Sequence, residues 1–127
     1  MAAPDTDITE IAQIAVNVQD LERAKAFYRD VLGLPLVLEA PGLVFFRCGT
    51  VRLMLSRPDR PEFDHPGSIL YYRVADIEGA HARLMSRVAF EAPPRRVHRD
   101  SRHELWLAAF HDSEGNPIAL FCERPAA

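Results

Sequence analysis

Ile14-Ala-Val-Asn-Val-Gln-Asp-Leu-Glu-Arg-Ala-Lys-Ala26 and Leu70-Tyr-Tyr-Arg-Val-Ala-Asp-Ile-Glu-Gly-Ala-His-Ala82 are two versions of one pattern. A shift of 56 positions superposes Val18 on Val74, Asp20 on Asp76, Glu22 on Glu78, Ala24 on Ala80 and Ala26 on Ala82. Five identities in thirteen positions, grouped at a strand end and a helix start, point to an internal repeat. In each copy apolar residues first alternate, as in a strand with one buried face. An Asp then stands at the helix N-cap and a Glu in the first turn, where negative charge suits the helix dipole.

Working outward, Leu21, Ala24, Phe27, Tyr28, Val31 and Leu32 recur at helical spacing, and Gly33 with Pro35 supplies a stop. Three short strands follow, at Leu36–Glu39, Leu43–Cys48 and Val51–Ser56, separated by turns at Pro41–Gly42 and Gly49–Thr50. Arg57–Pro66, with three prolines and several charges, reads as a linker. The second copy predicts a helix over Ile77–Arg87, an extended piece at Val88–Glu91, and final strands at Leu105–Phe110 and Ile118–Cys122. Between the last two lies Asp112-Ser-Glu-Gly-Asn-Pro117, a run of turn formers. The basic stretch through Arg95, Arg96, His98, Arg99, Arg102 and His103 reads as a polar loop, and Arg124–Ala127 as a frayed tail.

Composition narrows the functional classes. The chain has 127 residues, 48% hydrophobic and 26% charged, which suits one compact domain spanning 1–127. Its formal charge of −3 argues against a nucleic-acid partner, because phosphate binding needs concentrated Lys and Arg. No apolar run approaches the ~20 residues that span a bilayer, and Met1–Asp7 lacks the basic and apolar regions of a signal peptide. Cys48 and Cys122 form no C-x-x-C pair and no disulfide framework. A cytoplasmic, reducing setting without a membrane partner is the expectation.

The quoted repeat, together with Phe27-Tyr28, Val31-Leu-Gly-Leu34, Val74-Ala-Asp-Ile77 and Asp112-Ser-Glu-Gly-Asn-Pro-Ile-Ala-Leu120, resembles the vicinal oxygen chelate superfamily. That superfamily includes glyoxalase I, ring-cleaving dioxygenases and bleomycin-resistance proteins. The resemblance implies an α+β fold of two tandem βαβββ units, residues 8–60 and 66–124. These would form a curved mixed sheet with a concave cleft and helices on the convex side. It also implies a homodimer, since many members complete their clefts across a two-fold axis.

In metal-dependent members each unit offers two ligands from the concave face, one on its first strand and one on its last. Carried onto this chain, those positions are Gln13, Met54, Ile69 and Ala119. A divalent ion wants His nitrogen or carboxylate oxygen, and only Gln13 offers even a neutral oxygen. No metal and no other cofactor is therefore expected, which weakens the case for chelate-dependent chemistry.

Strand parity places Gln13, Asn17, Arg52, Met54, Ile69, Tyr71, Arg73 and Phe121 on the concave face. Apolar walls with a few polar groups suit a small molecule, and Arg52 with Arg73 could hold an anionic or carbonyl-bearing ligand. The plainer alternative is a cleft filled by its own side chains, with the arginines turned out to water. Trp106 either lines the cleft or covers a dimer interface; parity leaves both open. For function the expectation is a metal-free binding protein, with a small, partly aromatic or anionic ligand. The alternative is a lyase, isomerase or dioxygenase-like enzyme, with His98, His103 and Tyr71 as acid/base candidates or with displaced metal ligands. A purely structural role, the cleft closed by aromatic side chains, is the third.

Overall fold

The computed structural model describes residues 8–126, so Met1–Asp7 and Ala127 lie outside the described residues. The first unit runs β1 (Gln13–Asn17), α1 (Leu21–Ala26), β2 (Leu36–Ala40), β3 (Leu43–Cys48) and β4 (Val51–Ser56). The second runs β5 (Leu70–Arg73), α2 (Ile77–Leu84), β6 (Arg95–Arg99), β7 (His103–His111) and β8 (Pro117–Pro125). Each unit makes a four-stranded sheet, ordered β1-β4-β3-β2 and β5-β8-β7-β6. The first strand pairs with the last in parallel, and the remaining pairs are antiparallel. This is the α+β architecture of two βαβββ units.

Both helices begin as the repeat predicts. The Asp20 side chain accepts from the Arg23 amide at 3.0 Å, and Asp76 accepts from the Gly79 amide at 3.1 Å. Each carboxylate satisfies an amide that a helix start leaves without an internal partner. After Ala26 the first helix loosens into a π-helical turn over Phe27–Val31, where the Leu32 amide reaches back five residues to the Phe27 carbonyl at 3.0 Å. Gly33, at φ 73°, then takes the left-handed conformation that ends it.

Alternation along the strands buries one face of each sheet beneath its helix. Val18, Ala24, Tyr28, Val44, Phe46, Leu53 and Leu55 form one core; Ile77, Ala80, Ala108, Phe110, Ile118, Leu120 and Cys122 form the other. Phe27, Leu32, Leu70 and Tyr72 pack against both, which joins the two units through their convex sides.

A polar tether crosses the same junction. The Tyr28 hydroxyl donates to the buried Asp112 carboxylate at 2.7 Å. Asp112 also accepts from the amides of Glu114 and Asn116, both at 2.9 Å, and from the Asn116 side chain at 3.0 Å. Burial, with Tyr72 and Asp112 beside it, holds the Tyr28 hydroxyl far above its ordinary pKa, so it stays a donor. From the same turn Glu114 accepts the Gln19 amide at 2.6 Å, placing a carboxylate at the start of α1.

Four segments differ from the sequence reading. The second helix ends at Leu84, and Arg87 instead reaches the Asp30 carbonyl of the first unit at 3.0 Å. Val88–Glu91 forms no strand, although the Glu91 amide bonds the Ala109 carbonyl. The basic stretch is a hairpin, β6 and the start of β7, turned tightly at Asp100–Arg102. All five β6 residues are exposed at the sheet edge, so the strand has no apolar face for a pattern to reveal. The tail is corrected too: Arg124 lies within β8, opposite Glu104, and pairs with Glu78 at 3.0 Å.

Candidate ligand site on the concave face

Parallel pairing of β1 with β4 sets Gln13 opposite Arg52 and Ala15 opposite Met54. Arg52 Nε donates to Gln13 Oε1 at 2.8 Å, while its guanidinium lies 4.3 Å from the centre of the Phe45 ring. That is within cation–π range. The Gln13 amide nitrogen points to Met54 Sδ at 3.9 Å, a weak contact. The structure thus brings Gln13, Arg52 and Met54 together and adds Phe45, whose place on this face follows from its register with Met54.

Asn17 acts differently. Its amide donates to the Phe63 and His65 carbonyls of the linker, the latter at 3.0 Å. These bonds fold the linker over the end of the first sheet, around a cavity of about 470 Å³ lined by Ala15, Asn17, Met54, Ser56, Phe63 and His65. Nothing in a proline-rich, charged segment signals that Phe63 and His65 reach a cleft. The Phe45 position was readable from the alternation of β3.

In the second unit the Arg73 guanidinium sits 4.9 Å from the centre of the Phe121 ring. Tyr71 stands in register with Ala119 and is 54% exposed, whereas Ala119 is buried. Ile69 lies just ahead of β5 and is half exposed. Trp106 faces the other way: it is in register with buried Cys122 and packs on the second core. Its ring nitrogen donates to Glu104 at 3.0 Å, and Arg124 stacks on it at 4.3 Å.

His98 and His103 sit on either side of the β6–β7 turn, exposed. His98 is 3.7 Å from the Asp100 carboxylate, and the His103 amide donates to Asp100 at 2.7 Å. Along β7, Leu105, the partner of His98, is four residues from Ala109, which aligns through Ala119 with Tyr71. That separation is about 13 Å along the sheet. The three acid/base candidates are not brought together.

The donor set does not fit a divalent ion. Ile69 and Ala119 have no donor atom, Met54 offers a soft thioether, and the Gln13 oxygen already faces a cationic guanidinium. Among the described residues no three His, Cys, Asp or Glu side chains are grouped as ligands. What the face does offer is two arginines spread on phenylalanine rings, with apolar surface around them.

Two four-stranded mixed sheets from two βαβββ units, each with its helix on the buried side and an amphipathic face on the other, define a chelate-fold protein. The chain belongs to the Glyoxalase/Bleomycin resistance protein/Dioxygenase superfamily, which matches residues 10–120. No relative was found among curated proteins. Among solved structures, lactoylglutathione lyase from Agrobacterium tumefaciens is 25% identical with a TM-score of 0.75, covering 94% of this chain and 95% of that one. TnmS3, an antibiotic binding protein from Streptomyces sp. CB03234, is 27% identical with a TM-score of 0.73, covering 96% and 100%. A superfamily member from Sphaerobacter thermophilus DSM 20745, 24% identical with a TM-score of 0.75 over 91% and 98%, adds support for the fold alone.

Proposed function

We propose that the chain is a metal-free binding protein that holds a small, planar, anionic aromatic molecule on its concave face. The observation that carries this reading is the Arg52 guanidinium, held by Gln13 and laid on Phe45 where a metal-dependent relative needs a ligand pair. A flat cation with apolar surface beside it suits a flat anion, since guanidinium binds carboxylate in a planar fork. Likeness to an antibiotic binding protein supports the same direction.

The reading takes the chain as one domain, supported by the side chains shared between the two cores. It includes a homodimer, because edge strand β2 exposes Leu36, Val37 and Leu38 and such edges are normally covered. It includes a reducing compartment, consistent with two free thiols, and no nucleic-acid partner. Likeness to a lactoylglutathione lyase keeps a lyase as the second reading, but the scattered positions of His98, His103 and Tyr71 favour binding.

Calorimetry with 1-naphthoate tests it. Arg52→Ala and Arg73→Ala should each weaken binding about tenfold, while Trp106→Phe changes nothing. Metal analysis of the purified protein should find no stoichiometric zinc, nickel, iron or manganese. An ion held at Gln13, or binding indifferent to both arginines, would sink the proposal.

A further inference from the structure

A second cavity, of about 470 Å³, lies on the helix side where the two units meet. Its apolar walls include Val31, Leu32 and Leu34 from the end of the first helical segment, Ala80 and Leu84 from α2, and Leu120 from β8. That volume falls in the range of small-molecule pockets, roughly 300–1,000 Å³.

The charged side chains that line it are all cationic, with the Asp30 carboxylate near Arg87 and the Asp76 carboxylate near Arg83. Arg73, Arg83 and Arg87 line the cavity, and no Asp or Glu does. Arg73 turns its guanidinium to Phe121, which leaves Arg83 and Arg87 to meet an anion. Arg87 is fixed across the junction by its bond to the Asp30 carbonyl at 3.0 Å. Arg83 makes no ion pair within 4.0 Å among the described residues; Asp76 caps α2 through Oδ1, and its Oδ2 and the Arg83 guanidinium flank Gly79. Cys48 also lines the cavity; burial pushes its thiol up, so it adds no negative charge there.

An apolar slot lined by two guanidiniums and no carboxylate lacks one chemical part. We propose that this junction is a second binding site, for a small apolar carboxylate whose chain lies between the helical segments and whose head meets Arg83 and Arg87. The aliphatic lining takes the chain by the hydrophobic effect, and the arginines take the head by charge-assisted hydrogen bonds. Because both units contribute walls, such a ligand would also clamp the junction.

The test is titration of decanoate into the isotopically labelled full chain, followed by amide chemical shifts. Decanoate should move the amides of Leu32, Val74, Arg83 and Leu84, and decanol should bind at least about tenfold more weakly. The double variant Arg83→Ala with Arg87→Ala, both at exposed positions that leave the cores intact, should lose a similar factor for decanoate. Arg52→Ala, on the opposite face, should leave decanoate binding unchanged. Three outcomes would overturn the proposal: no binding, shifts confined to the concave face, or equal affinity for decanol or for the double variant.

Discussion

Where the first unit places Gln13, Arg52 and Met54, the second places Ile69, Pro117 and Ala119; where the first has Ala15, Asn17 and Ser56, the second has Tyr71, Arg73 and Phe121. Bulk and charge have moved one pleat along the same backbone. Each half still spreads an arginine on a phenylalanine, but the ring comes from β3 in the first unit and from β8 in the second. The convex sides diverge far less, since both bury aliphatic and aromatic side chains beneath a helix. A packed core punishes changes of volume, whereas an open face lets a side chain move to a neighbouring position without disturbing the fold. The two units thus share a scaffold while their open faces differ.

The largest effect should come from breaking what the halves share. Phe46→Ala and Phe110→Ala each remove a fully buried ring, one per core, and should each cost about 3–5 kcal/mol. Because Leu70 and Tyr72 pack on both cores, denaturant unfolding should remain a single transition in both variants. Two separated transitions would show that the units fold independently.

A smaller loss should follow from breaking the feature that only one unit has. Asp112→Ala deletes the acceptor of Tyr28 and of three local donors, and should cost about 3 kcal/mol. Tyr28→Phe should cost less, since it leaves the turn bonds of Asp112 intact. Equal losses by thermal melting would mean that the tether across the junction outweighs the turn itself.

The smallest effect concerns equivalent turns. Gly42, at φ 80°, closes the β2–β3 hairpin, whereas the β6–β7 turn is closed by the Asp100 carboxylate accepting the Arg102 and His103 amides. Those amides hold the Asp100 carboxyl below its usual range. A carboxylate depressed on folding stabilises above its unfolded value, roughly pH 4, and the contribution fades as pH falls through the folded value. The Arg102 amide, which donates to Asp100, should therefore show a step in its shift below about pH 4 that Asp100→Asn removes, while the Gly42 turn shows none. A step that survives Asp100→Asn would show that a group other than Asp100 controls the turn.

Most of the scaffold was legible because its signals are local. The Asp20 and Asp76 caps, the alternation of Ile14, Val16 and Val18, and the turn at Asp112–Pro117 each report on their own neighbours. Strand β6 was not legible, since an edge strand of Arg, Val and His with both faces in water has no periodic apolar signal. The face of Trp106 was left open by parity alone and was settled by its pairing with buried Cys122.

By itself, then, the sequence determined the repeat, the two helix starts and the strands with one buried face. Only tertiary structure decided that Arg52 rests on Phe45, that the linker folds back through Asn17, and that Tyr28 and Asp112 meet across 84 positions of sequence. The physical reason is range. Caps and alternation are written within a few residues, but a cleft is made by side chains whose meeting depends on how two sheets close over their cores.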